Sequence, residues 1–207
     1  MRLSYGGRVS TAPTGATAQT WSDVLTWRAP DASRMESVRI QVSGARIKAA
    51  GRIVAAATAT RPAFSAYYDL QTDDAGAAKR VGLRVSAPER ERQLSIARDE
   101  ENMWLVSSSQ GETRAAFDGA LDVDMVLSPF FNALAIRRVG LHRGPEAVTV
   151  PVIYVSLPEM ELTAEAISYR SVDGDNAIEV RSPVAQTTVT VDETGFLLTY
   201  PGLAERI

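Results

Sequence analysis

Apolar and polar residues alternate along much of this chain. Val38, Ile40 and Val42 are separated by Arg39 and Gln41, and Val81, Leu83 and Val85 by Gly82 and Arg84. Successive side chains on a strand point to opposite faces, so a period of two predicts half-buried strands. Leu94, Ile96 and residues 103–106 extend the series around a charged hairpin tip at Asp99-Glu100-Glu101-Asn102. Residues 153–157, 167–172, 178–181, 187–191 and 196–200 have the same character. Asp173-Gly174-Asp175-Asn176 and Asp192-Glu193-Thr194-Gly195 punctuate them, because Gly, Asn and Asp tolerate the positive φ of tight reversals. Short strands with turns about every 8–12 residues predict a mainly β fold, a strongly curved antiparallel sheet of barrel-like or half-barrel form.

Helix is the minor element, with one short helix predicted at residues 129–138. Ser128 can cap it, Pro129 suits its first turn, and Phe131, Leu134 and Ile136 share part of one face. Residues 1–20 are rich in Ser, Thr, Gly, Pro and Ala and read as a flexible tail without a signal-peptide core. Residues 21–207 are then expected to form one domain. No segment approaches the roughly 18 unbroken apolar residues of a spanning helix, so no integral membrane span is expected.

Composition narrows the partners. With 45% hydrophobic and 23% charged residues, the 207-residue chain can bury a sizeable core. Its 25 acidic and 22 basic residues give a net charge of −3, which removes the electrostatic case for nucleic acid. The chain has no Cys, hence no disulfide and no thiolate nucleophile, in keeping with a soluble cytoplasmic protein. His142 is the only histidine and sits in a turn with Arg143-Gly144-Pro145, so a multi-histidine metal site is excluded. No phosphate-cradling glycine motif and no Gly-x-Ser-x-Gly elbow occur, and no cofactor or metal is expected.

Candidate chemistry is concentrated in LDVDMVLSPFFNALAIRRVG, residues 121–140. Asp122 and Asp124 would share one face of a strand. Such a pair suits acid–base chemistry in a hydrolase or isomerase, but the favoured reading pairs at least one of them with Arg137 or Arg138. Phe130 and Phe131, beside Asn132 and ahead of the Arg pair, could line a pocket for an amphipathic ligand or fill the core beneath the helix. Tyr67, Tyr68, Trp104 and Tyr154 carry the same two readings.

Together with the ending VTVDETGFLLTYPGLAERI, this segment resembles the bacterial family called "Putative glycolipid-binding", formerly a domain of unknown function. Asp122, Val123, Asp124, Ser128, Pro129, Asn132, Ile136, Arg137 and Arg138 match its Asp-Val-Asp, Ser-Pro, Asn and Ile-Arg-Arg text, and Tyr200-Pro201-Gly202-Leu203 its ending. Leu121 stands where the family often has Cys, and Ala135 where it often has Pro before Ile-Arg-Arg. The resemblance implies a curved sheet around an apolar cavity and non-enzymatic binding or carriage of a lipid-like molecule such as a glycolipid. Its site residues would be Phe130, Phe131, Asn132, Arg137, Arg138, Asp122, Asp124 and Tyr200. The remaining readings are the Asp122/Asp124 enzyme and a module that uses the concave sheet for a protein partner or a homodimer.

Overall fold

The computed structural model describes residues 20–31, 33–144, 147–172 and 176–207. Of the tail expected over residues 1–20, residues 1–19 lie outside the described residues, as does the Asp173-Gly174-Asp175 part of one turn, while Thr20 opens the first strand. Eight strands come first: β1 (Thr20–Arg28), β2 (Arg34–Ser43), β3 (Arg46–Ala55), β4 (Phe64–Thr72), β5 (Ala78–Ala87), β6 (Arg90–Arg98), β7 (Trp104–Ser108) and β8 (Gly111–Ala115). Then follow β9 (Asp122–Met125), the helix α1 (Pro129–Val139), β10 (Ala147–Val155) and β11 (Leu162–Val172). The chain ends with β12 (Ala177–Arg181), β13 (Gln186–Val191), β14 (Leu197–Tyr200) and β15 (Ala204–Arg206). The fold is mainly β, as the alternation predicts, and α1 runs one residue beyond the expected helix.

All fifteen strands form one open sheet in the order β8-β7-β6-β5-β4-β3-β2-β1-β15-β14-β13-β12-β11-β10-β9. Its two halves are antiparallel meanders joined where Trp27 and Arg28 of β1 pair with Arg206 and Glu205 of β15. Among the described strands only β9 and β10 run parallel. Their connection contains α1, since parallel neighbours need a crossover and a helix supplies one.

The curvature can be read from one ring. Phe130 on α1 lies 5.9 Å from Tyr68 on β4 and 6.2 Å from Phe196, the residue before β14. Those strands are five steps apart in the sheet, about 24 Å if it were flat at ~4.8 Å per step. The sheet therefore wraps around the helix. Register shifts at Thr72 and between Thr190 and Val191 add local twist.

Every residue of α1 from Pro129 to Ile136 is buried. The helix thus packs inside the curve of the sheet as part of its core. Ser128 caps α1 by accepting from the Phe131 amide, and Gly140, at φ 78°, ends it in the left-handed conformation that glycine adopts readily. A second glycine explains a core contact. A Cβ at Gly51 on β3 would lie 2.2 Å from Cζ of Tyr68, its cross-strand partner, so only glycine leaves room for that ring.

Candidate functional site

The parallel β9–α1–β10 unit builds the site. Register places Tyr154 of β10 directly beside Asp124 of β9. After Met125 the chain turns sharply through Leu127, at φ 72°, and enters α1 at Ser128. The carboxyl ends of two parallel strands thereby face the first turns of a helix, the usual location of a crevice in such units. Here the crevice is a cavity of about 260 Å³. Asp124, Asn132, Tyr154 and Tyr200 contribute its polar wall, and Met125, Leu127, Val184 and Leu203 its apolar side.

Asp124 is 5% exposed. Its Oδ1 accepts from the Met125 amide at 2.8 Å and from Asn132 Nδ2 at 3.0 Å, and both recorded bonds fall on that one oxygen. Burial pushes its carboxyl up to about 7; the Met125 N–H pulls it down, and nearby Asp122 adds to the rise. A carboxyl poised at neutral pH on a cavity wall is the kind of perturbed group that marks a functional site. Burial first, then the charge of Asp124, also raises the Tyr154 and Tyr200 phenols, which stay protonated as donors. Arg34 donates to the Leu203 carbonyl at 2.5 Å and so ties the β14–β15 turn, the outer wall of the cavity, to β2.

The other sequence candidates lie elsewhere. Asp122 faces the same helix but is gripped by Arg138, whose Nε lies 3.1 and 3.0 Å from its two oxygens and whose Nη2 lies 2.6 Å from Oδ2. Burial pushes this carboxyl up while the guanidinium pulls it back. Among the described residues that line the cavity, Asp124 is the one acid. Phe130 and Phe131 pack with Tyr68 in a buried aromatic cluster and do not line the cavity. Arg137 stacks 4.5 Å from the Phe196 ring and donates to the Thr194 carbonyl. Trp104 is a core residue whose Nε1 donates to Ala120 O, Tyr67 points outward, and His142 sits in a short 3-10 turn away from the cavity. The structure thus brings together Asp124, Asn132, Tyr154 and Tyr200 of the sequence candidates.

One buried acid escaped the sequence reading. Glu36 on β2, fully enclosed beneath the start of α1, accepts from Tyr68 and Ser128 hydroxyls, each at 2.6 Å. Its partners are 32 and 92 residues away, and a Glu in an alternating strand looks like any outward polar residue. The available signal was its phase, since Arg34, Glu36, Val38 and Ile40 share one face.

Comparison with known proteins agrees with this architecture. The family described as "Putative glycolipid-binding" matches residues 24–206. The chain belongs to that family. A crystal structure of a DUF1089 family protein from Pseudomonas aeruginosa, 21% identical and aligned over 100% of both chains, superposes with a TM-score of 0.67. At that identity the likeness is one of fold. No curated protein matches the chain. Residues 122–138 and 200–203, which carry the glycolipid-binding resemblance in the sequence, frame the cavity or its supporting ion pair. No helix among the described residues is long and apolar enough to cross a membrane, which leaves strands aside. No described cluster of acids and histidine is arranged to hold a metal ion.

Proposed function

We infer that the protein binds an amphipathic, hydroxyl-bearing ligand, a glycolipid or a molecule of similar character, by its head group at the Asp124 cavity and without chemical change. The observation that carries this reading is the Asp124–Asn132 pair on the cavity wall. A carboxylate accepts from hydroxyls, an amide both donates and accepts, and the two phenols add donors. Val184, 69% exposed, and Leu203 extend an apolar side toward solvent, where a lipid chain can rest.

Size separates head from tail. At ~30 Å³ per water, a cavity of about 260 Å³ corresponds to roughly nine waters, room for about one sugar ring but not for a long acyl chain as well. Phe130 and Phe131 belong to the packed core and do not line this cavity. Alkyl glycosides below their micelle concentration should therefore raise the melting temperature, as a ligand of the folded state alone must. Fatty acids of equal length should not, and lengthening the alkyl chain should add much less than the ~0.8 kcal/mol per methylene of full burial. Asp124→Asn should weaken glycoside binding about tenfold or more, the scale of a hydrogen bond to a charged group. Binding should tighten as pH rises through about 7, because the ionised Asp124 is the better acceptor. Absence of any glycoside shift, or an unchanged shift in Asp124→Asn, would overturn the assignment.

A further inference from the structure

The outer face of the sheet holds a second concavity, independent of the Asp124 cavity. Register aligns Asp69 of β4, Gly82 of β5, Ser95 of β6 and Ser107 of β7 in one row, with Tyr67, Arg84 and Gln93 in the next. Gly82 carries no side chain of its own, which leaves room for the Asp69 carboxylate over the centre of that row. It floors a groove of about 810 Å³, well inside the ~300–1,000 Å³ of small-ligand sites.

The walls have a definite chemistry. The Asp69 carboxylate leans over Gly82, so that a Cβ there would lie 2.3 Å from Oδ2, and it has no hydrogen-bond or ion-pair partner among the described residues. Tyr67 is 42% exposed, and its ring is steadied by the Arg52 guanidinium 6.0 Å from the centroid. The two arginines on the rim are already engaged, Arg84 with Glu91 at 3.4 Å and Arg92 with the Glu159 carbonyl. That leaves an acceptor-rich, hydroxyl-lined trough with one aromatic wall and no free guanidinium to call for an anion.

We propose that this groove binds a soluble chain of neutral sugars. Asp69 accepts from sugar hydroxyls, Gln93, whose carbonyl faces the Arg84 guanidinium, donates through its amide nitrogen, Ser95 donates and accepts along the same edge, and the C–H face of a pyranose packs on Tyr67. Tyr67 is the one aromatic side chain on the groove, and the leucines beside it, Leu83 and Leu94, are buried. The ligand is distinct from the one inferred for the inner cavity, and neither site depends on the other.

The test is a titration followed by amide chemical shifts, with maltotetraose, cellotetraose and chitotetraose as probes. At least one should give saturable shifts centred on Gly82, Ser95 and Ser107. Tyr67→Ala and Asp69→Ala should each weaken that binding about tenfold or more, the scale of one charge-assisted hydrogen bond or its equivalent in ring contact. Asp124→Asn should leave it unchanged, which separates this site from the inner one. No saturable shift with any of the three probes, or binding that survives both outer-face substitutions, would refute the proposal.

Discussion

Replacing Arg138 by Ala should destabilise the protein by about 3–5 kcal/mol, the cost of stranding a buried carboxylate. Asp122 keeps 2% of its side chain exposed and Arg138 18%, so water cannot take over when the guanidinium is removed. The loss is one of position as well as energy. The pair ties the last turn of α1 to β9, while Asn132 and Asp124 tie its second turn to the same strand. Removing both charges, as Asp122→Ala with Arg138→Ala, should cost less than Arg138→Ala alone, because no uncompensated charge then remains. Urea midpoints at unchanged m-value measure this. Strictly additive single and double substitutions would show that the two side chains do not act as a pair. Glycoside affinity in Arg138→Ala, measured where the protein is still folded, should also fall, since Asn132 is carried on the helix that the ion pair anchors.

The strands that the sequence announces most clearly are those with large side chains on the inner face. Val38, Ile40 and Val42 of β2 and Val81, Leu83 and Val85 of β5 alternate visibly because each fills its own share of the core. β3 carries Ala49, Gly51 and Ala55 at inward positions, a weak apolar signal, because Tyr68 of the next strand occupies the space above Gly51. β8 has no buried position at all and so no pattern to detect. The start of α1 was legible because Ser128 and Pro129 act locally, whereas its end, set by Gly140 in the left-handed conformation, lies one residue beyond the expected helix. Parallel pairing of β9 with β10 was not legible, since it depends on where a crossover returns the chain. The same distinction governs the site. Asp122 and Asp124 share a face by simple alternation, and Asp122 pairs with Arg138 as their spacing suggested. That the two acids would part company, one to an ion pair and the other to a cavity, depends on the angle at which α1 crosses the strand. Tyr154 was a candidate whose place beside Asp124 only the register shows, and Glu36 entered through long-range contacts alone.

Glu36→Gln should leave the protein near wild-type stability at pH 5 and make it more stable than wild type at pH 8. Burial is the dominant influence on this carboxyl and pushes it from 4.5 up to about 7, against the hydrogen bonds from Ser128, Tyr68 and the Phe130 amide. Charged neighbours do little to offset the burial. Arg34, on the same strand, is committed to the Leu203 carbonyl, while β4 and α1 present only the Tyr68 and Ser128 hydroxyls and the Phe130 N–H. Because the folded value lies above the unfolded one, the stabilisation from holding this proton is fully present below about 4.5 and is lost as pH rises to about 7. The span of about 2.5 pH units corresponds to roughly 3 kcal/mol, which the glutamine, neutral throughout, does not lose. Asp124, which burial also pushes up, drifts in the same direction with pH, so the quantity to measure is the difference between wild type and variant at each pH. If that difference is the same at pH 5 and pH 8, Glu36 titrates like an exposed acid and its enclosure beneath α1 is wrong. If it grows across the window, the start of α1 is the part of the molecule strained at alkaline pH. Protection of the Phe131 amide against hydrogen exchange should then fall in wild type between pH 5 and pH 8, after correction for the intrinsic exchange rate, but not in the glutamine variant.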